Sequence, residues 1–534
     1  MSSAERSGPE SRPEAGPGAG VPRDGLPIED WYASPERPKP IRDRWEKLRR
    51  IRELGIEPYA WAWEPTHDLA AAFAAHADEG EEAAVRVAGR IESLRDMGRS
   101  AFAHLGDRSG RLQAYFRRQD LDPREAELLD LLDLGDWIGV EGRMFRTRTG
   151  EVTVRAERFE LLAKALRPLP FGKVEVGEDG ERVVHGGFAD TESRYRQRYA
   201  DLAVHPEVRE LFVVRARIVS ALRRVLDAEG FLEVETPVLQ PLYGGAFARP
   251  FTTHHNALDR TLYLRIADEL YLKRLIVGSL DRVYEIGKDF RNEGIDRTHN
   301  PEFTMLEAYQ AYADYGTMME LAERLVVAAA EAAGGSLRRE WGGHEIDLTP
   351  PWERIPFFSA LERHAGFDAR SASDADLARR LADSGRGEAE GASRARLLEA
   401  AFSAWVEPEL VDPTIVFDYP LEMSPLAKPR RGDPDLAERF EVIVGGTELV
   451  NAFSELNDPV AQWRRFADQA VARAAGDEEA QSLDVDYVQA LEYGLPPTGG
   501  IGMGVDRLVM LLTGRASIRE VILYPVLRDA DGSG

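Results

Sequence analysis

Phe290-Arg-Asn-Glu-Gly-Ile-Asp-Arg-Thr-His-Asn-Pro-Glu-Phe303 packs an arginine, a carboxylate, a histidine and two aromatics into one short strand–loop–strand. Arg291 offers a rigid planar fork that matches phosphate and carboxylate oxygens. Glu293 can accept from an exocyclic amine, and Phe303 can stack on a purine ring.

Further along, Gly500-Ile-Gly-Met-Gly-Val-Asp-Arg507 places glycine at every second position and then an arginine. Such a strand can approach a ligand closely, and a helix after it would aim Arg507. Val505 stands where a dinucleotide fingerprint needs its third glycine, so that reading is excluded. Glu441 and Glu448 flank Gly445-Gly446, and a turn there would set the two acids on neighbouring strands. Two such acids plus phosphate oxygens suit Mg²⁺. In an acidic protein, most pairs of this kind are only solvated.

Outward again, the pattern changes between Val85 and Leu162. Val85–Ile91, Phe102–Leu105, Leu112–Phe116, Trp137–Phe145 and Val152–Glu160 read as strands, and Arg124–Leu132 reads as a helix. Three strands, a helix and two strands match the order of a five-stranded OB barrel. Residues 1–38 are rich in Pro, Gly, Ser, Glu and Arg and are expected to be disordered. The expected organisation is this extension, a helix and barrel over 39–165, a linker over 166–200, and a large α+β body over 201–530.

Bulk properties narrow the function. The 534 residues include no cysteine, which excludes disulfides, thiolate nucleophiles and Cys–zinc sites. No run of about 18 apolar residues occurs, so no membrane span is expected. The N-terminus lacks an apolar signal core, and a cytoplasmic location is expected. The net charge of −25 argues against a generally basic surface. Nucleic-acid binding nonetheless depends on the local field at the contact face. Lys39–Arg52 is locally basic, either as such a face or as a solvated helix surface.

The Phe290–Phe303 run resembles motif 2 of the class II aminoacyl-tRNA synthetases, Gly230-Phe-Leu-Glu-Val-Glu-Thr-Pro237 resembles motif 1, and Gly500–Arg507 resembles motif 3. The flanks Tyr263-Leu-Arg-Ile-Ala-Asp-Glu-Leu-Tyr-Leu-Lys-Arg-Leu275 and Glu307-Ala-Tyr-Gln-Ala-Tyr-Ala-Asp-Tyr315 narrow the likeness to the lysyl-tRNA synthetase family, over roughly residues 40–528. The resemblance implies an N-terminal OB-fold β-barrel plus a class II catalytic domain, an antiparallel sheet flanked by helices. It implies a homodimer through motif 1. The implied reaction joins L-lysine to tRNA(Lys), using ATP and a lysyl-adenylate.

Site residues follow from the same resemblance. Arg291 and Arg507 would act on the phosphates, with Glu293, His299, Asn300 and Phe303 completing the ATP site. Glu441 and Glu448 would hold Mg²⁺. Gly245 and Glu269 match positions for the α-ammonium of lysine, Arg291 and Asn451 those for its carboxylate, and Glu307 and Phe453 line the pocket. The aspartyl and asparaginyl relatives carry arginine at the position of Glu455. An unpaired buried ion costs several kcal/mol, so reversing that charge should reverse the preferred substrate charge. Glu455, with Tyr309 alongside, is thereby matched to the ε-ammonium. Many lysyl enzymes have arginine just before the histidine of motif 2. Thr298 stands there in this chain, which leaves the γ-phosphate contact unassigned. Phe102, Gln113 and Glu151 match the positions that read the uridine-rich anticodon. Each also has a local alternative: Phe102 as barrel core, the other two as solvated strand residues. Competing functions are a lysyl transferase acting on another acceptor, or a non-catalytic RNA-binding relative.

Overall fold

The computed structural model describes residues 27–76, 83–176, 182–185, 187–385, 392–474 and 483–528. The chain divides into two compact units. The first closes at Arg209 and regains Arg528; the second runs from Glu210 to Leu527.

In the first unit, helix Lys39–Glu53 buries Ile41, Trp45, Leu48 and Ile51 at helical spacing. Order begins earlier than composition suggests. Ile28–Ala33 is already a short helix, and the Tyr32 ring stacks on Trp45 at 5.0 Å. Aromatic burial there offsets the entropy of ordering a polar segment. The expectation of disorder over residues 1–26 lies outside the described residues. The basic helix spends much of its charge internally. Arg44 donates to the carbonyls of Ala165 and Leu134 at 2.8 Å each, Lys47 pairs with Asp133 at 2.8 Å, and Arg50 pairs with Glu127 at 2.7 Å.

Beyond it, β1 (Ala84–Asp96), β2 (Ser100–Gly106), β3 (Arg111–Arg117), β4 (Trp137–Arg146) and β5 (Val152–Ala163) close a barrel in the order β1-β2-β3-β5-β4. β3 and β5 pair in parallel, and β1 pairs with β4 antiparallel, which closes the ring. Helix Pro123–Leu131 sits between β3 and β4, started by a capping box of Asp122 and Glu125. Alternate residues fill the barrel, among them Val85, Val87, Ala103, Leu105, Ala114, Phe116, Ile138, Val140 and Val154.

The second unit is built on one large sheet. Its strands are β6 (Leu232–Glu233), β7 (Arg282–Phe290), β8 (Glu302–Ala311), β9 (Glu353–Pro356), β10 (Thr414–Pro420), β11 (Asp433–Val444), β12 (Thr447–Ser454) and β13 (Thr498–Gly504). Their spatial order is β9-β10-β11-β12-β13-β8-β7-β6, and the short Pro429–Arg430 strand pairs with β11. All neighbours are antiparallel except the two outermost pairs. Gly445 and Gly446, at φ +55° and +71°, form the hairpin between β11 and β12. Only glycine takes both positions without strain. Helices Tyr315–Ala332 and Val505–Thr513 pack on the sheet through Met318, Leu321, Leu325, Leu508 and Leu511. Among the described residues, no helix is long and apolar enough to cross a membrane.

Successive strand residues point to opposite faces, so register decides which side chains meet. Glu307 pairs with Gly502, which pairs with Asn451, which pairs with Glu441. One step along, Tyr309 pairs with Gly500, Gly500 with Phe453, and Phe453 with Arg439. These two rows lie on one face of the sheet.

Candidate active site and nucleic-acid face

Most of the residues singled out from the sequence fall on that face or at its rim. Glu269 opens helix Glu269–Val277, and Glu455 follows the end of β12. The backbone N–H of Glu455 donates to Thr498 O at 2.8 Å, and Glu455 bridges to Ala427. Its side chain is buried at 1% exposure. Gly500 makes room for it. A Cβ at residue 500 would lie 1.9 Å from Glu455 Oε1 and 2.6 Å from Tyr309 Cε1. The other glycines of that strand differ, since a Cβ at Gly502 meets nothing closer than 3.4 Å and one at Gly504 nothing closer than 3.7 Å. Of the three, only Gly500 is demanded by the protein's own packing.

Glu455 already has a cationic neighbour. Lys273, fully buried one helical turn after Glu269, forms ion pairs with both Glu269 and Glu455. Its ammonium also lies 5.3 Å from the Phe453 ring centre and 5.9 Å from that of Tyr309. Tyr309 donates to Glu307 Oε2 at 3.0 Å. Burial, opposed by Lys273 and reinforced by Glu269, raises the Glu455 carboxyl well above its usual range. Glu307 is pushed up to about 8, first by burial and then by the charges of Asp289 and Glu269. Burial would depress the Lys273 ammonium, but Glu269 and Glu455 outweigh it and raise it. Gly245, at φ +91°, lies against Glu269, with a would-be Cβ 3.2 Å from the Glu269 Cβ.

The candidates for a nucleotide site lie on β7, β8, the loop between them and the helix after β13. Arg291 continues from β7, and its guanidinium carbon lies 5.0 Å from the Phe303 ring centre. Behind it, buried Arg265 pairs with Glu285 at 2.6 Å, Asp268 at 2.9 Å and Asp289 at 3.3 Å. Burial, with the charges of Asp289 and Glu307, pushes Asp268 up to about 11. The motif 2 loop folds around Asp296, which accepts from the backbone N–H of Thr298 and of His299 at 2.7 Å each. Partial burial raises the Asp296 carboxyl, but hydrogen bonds from His299 and that backbone outweigh it and bring it to about 2. His299 Nε2 lies 3.4 Å from Arg507 Nη2, and Arg507 also donates to the carbonyl of Glu448 at 2.8 Å. Asn300 is buried and bonded to the backbone of Glu302 and Val526, so its amide serves the loop. Glu293 is exposed.

Glu441 and Glu448 stand on the paired strands β11 and β12, as the glycine turn requires. Glu441 is held by Arg439 at 2.5 Å and by the Tyr419 hydroxyl at 2.9 Å. Burial pushes it up to about 7; Arg439 lowers it, and the nearby Glu448 charge raises it. Buried Glu441 and half-exposed Glu448 on neighbouring strands form a donor set suited to a divalent cation that phosphate oxygens complete. Among the described residues, no group of three or more His, Cys, Asp or Glu is placed to bind a metal by itself. Arg439 also donates to Asn451 Oδ1 at 3.1 Å, linking Glu441 to the neighbouring strand.

On the barrel, Phe102 alternates with buried Ala101 and Ala103 and therefore faces out, not into the core. Its ring packs on Tyr115 at 4.9 Å. Gln113 is no solvated strand residue, since it is 9% exposed and hydrogen-bonded. It donates to Glu151 Oε2 at 2.7 Å and accepts from Thr153 Oγ1 at 2.9 Å. His104 lies 2.9 Å from Glu151 Oε1. Phe102, Gln113 and Glu151 thus share one outer face with His104 and Tyr115.

Several members of these sites escaped the sequence reading. Lys273 and Arg265 stood inside a quoted motif without a role. Their i, i+4 and i, i+3 spacing from Glu269 and Asp268 was the available signal. Arg439, Tyr419, His104 and Tyr115 had only their strand alternation.

Comparison with known proteins agrees with this arrangement. Residues 190–528 match the family model described as tRNA synthetases class II (D, K and N), and residues 85–162 match an OB-fold nucleic acid binding domain. A lysine–tRNA ligase from Pelotomaculum thermopropionicum is 52% identical over 491 residues, covering 91% of this chain and 94% of that protein. Those of Carboxydothermus hydrogenoformans and Moorella thermoacetica are each 51% identical, covering 92% and 91% of this chain and 98% and 97% of theirs. On these matches the chain belongs to the class II aminoacyl-tRNA synthetases, in the lysine–tRNA ligase family.

Proposed function

We infer that the chain ligates L-lysine to tRNA(Lys) with ATP, through a lysyl-adenylate. The observation that carries the lysine assignment is Glu455. It is a fully buried carboxylate with one oxygen on Lys273, while the other has no hydrogen-bond partner among the described residues and lies over Gly500. An oxygen so placed is suited to an entering ammonium, and leaving it unsatisfied costs more than pairing it. Glu269, beside Gly245, takes the α-ammonium. Arg291 and Asn451 take the carboxylate, with Glu307, Tyr309 and Phe453 lining the chain between.

For adenylation, the lysine carboxylate attacks the α-phosphorus in line. Arg291 would hold both the carboxylate and an α-phosphate oxygen, aligning the two reactants with one guanidinium. Phe303 stacks on the adenine beneath it, and Glu293 and His299 complete the nucleotide site, whose loop Asn300 holds in shape. Arg507 offsets charge that builds on the departing pyrophosphate. Glu441 and Glu448 would hold Mg²⁺, completed by phosphate oxygens, and it would neutralise the pyrophosphate. No side chain forms a covalent bond to substrate. In the second step the 3′-terminal hydroxyl of tRNA takes the lysyl group, and AMP leaves. Phe102, Gln113 and Glu151 read the anticodon on the barrel face, by stacking and by hydrogen bonds to base edges. This divides labour between residues 39–165, for RNA, and 201–530, for chemistry. A homodimer through Gly230–Pro237 and a cytoplasmic location complete the proposal. ATP–pyrophosphate exchange against all twenty amino acids tests it, and exchange driven best by any amino acid other than lysine would refute it.

A further inference from the structure

Three carboxylates, Glu269, Glu307 and Glu455, are buried around the amino-acid pocket at 5%, 6% and 1% exposure, and Lys273 is the buried ammonium among them. We propose that Lys273 is a specificity-determining positioning residue, a resident cation that fixes the spacing of Glu269 and Glu455 and leaves the pocket wanting two further ammonium groups. This rests on the reading that those two glutamates receive the ammonium groups of lysine.

The geometry supports it in three ways. Lys273 bridges the two acids simultaneously, from Glu269 on its own helix to Glu455 after β12, separated by 186 positions in sequence. The ammonium and Glu455 are fully buried and Glu269 nearly so, so the protein's own packing sets the spacing. Of these three acids the one resident cation can balance only one, leaving two for a ligand that brings an α- and an ε-ammonium, while its carboxylate goes to Arg291. A ligand with one ammonium leaves a buried carboxylate uncompensated, which is costly. The groups facing Lys273 are Glu269, Glu455, Tyr309 and Tyr487, with Glu307 one step away behind Tyr309.

The test is steady-state ATP–pyrophosphate exchange with Lys273→Met. Without the cation, Glu269 and Glu455 hold protons that lysine must displace. At pH 7 the KM for lysine should rise on the order of 10²-fold while the KM for ATP stays within about threefold. The excess over the unaltered protein should shrink by about tenfold between pH 7 and pH 9. In Lys273→Ala, n-propylammonium in the buffer should restore lysine affinity, and n-propanol should not. If Lys273→Met does not fold, Lys273→Arg keeps the charge but alters the spacing, and its lysine-to-ornithine kcat/KM ratio should fall at least fivefold. A lysine KM unchanged in a folded variant, or lysine and ATP KM values rising together without pH slope or amine rescue, overturns the proposal. Glu455→Gln separates the two readings. If it leaves the lysine KM unchanged, the pocket assignment itself fails. If it raises that KM while the Lys273 variants do not, only the role of Lys273 fails.

Discussion

Gly500→Ala is the sharpest structural prediction, because the added methyl has nowhere to go. Its Cβ would stand 1.9 Å from Glu455 Oε1 and 2.6 Å from the Tyr309 ring. Recovering ordinary contact requires the carboxylate to retreat by about 1.5 Å. That retreat strains its ion pair with Lys273, and overpacking of this kind costs about 1–3 kcal/mol in stability. It also misplaces the acid meant for the ε-ammonium. Losing most of a buried charge-assisted contact of about 3 kcal/mol corresponds to roughly a 10²-fold rise in the KM for lysine. The KM for ATP should change little, since Phe303 and Arg507 lie elsewhere on the face. Gly502→Ala is the internal control. Its Cβ would approach Met305 at 3.4 Å and Asn451 O at 3.7 Å, so the fold itself tolerates the methyl. Any defect there reports on ligand approach and not on Glu455. The assay is ATP–pyrophosphate exchange with lysine and ATP varied separately, alongside thermal denaturation. A folded Gly500→Ala protein with the original lysine KM would show that Glu455 does not meet the substrate.

Other outcomes follow from the same geometry. Arg291→Ala should reduce the exchange rate by about 10²-fold or more, taking one lost transition-state contact as about 3 kcal/mol; an unchanged rate removes its role. Glu307, held up to about 8, carries its proton below that pH, and an entering ammonium favours the ionised form. Lysine binding at pH 7 should therefore release a proton, and affinity should rise from pH 6 to 8 and then flatten. Calorimetry in buffers of different ionisation enthalpy measures this, and zero proton release contradicts it. Phe102→Ala should lower kcat/KM for tRNA charging by about tenfold, as the loss of one stacked base implies, and leave pyrophosphate exchange intact. If charging is unaffected, tRNA is read on another surface.

How far the sequence went can be judged from particular residues. The strand–helix order of the barrel was readable because turns and alternation are local. The Gly445-Gly446 turn fixed Glu441 and Glu448 on adjacent strands for the same reason. The helix Ile28–Ala33 was missed because composition averages over a segment, whereas two aromatics can anchor part of it.

The side-chain period of two, the acid at Glu455 in place of a base, and the glycines of Gly500–Gly504 were properties of the chain as written. They carried the resemblance to the family and, with it, the expectation of a cationic substrate tail. Only the tertiary structure decided that Lys273 bridges Glu269 and Glu455, that Arg439 ties Glu441 to Asn451, and that Phe102 turns outward beside Tyr115. The reason is physical. Periodicity reports which side of an element a residue occupies, but a partner on another element, and the desolvation that makes the pairing matter, exist only once the chain has closed on itself.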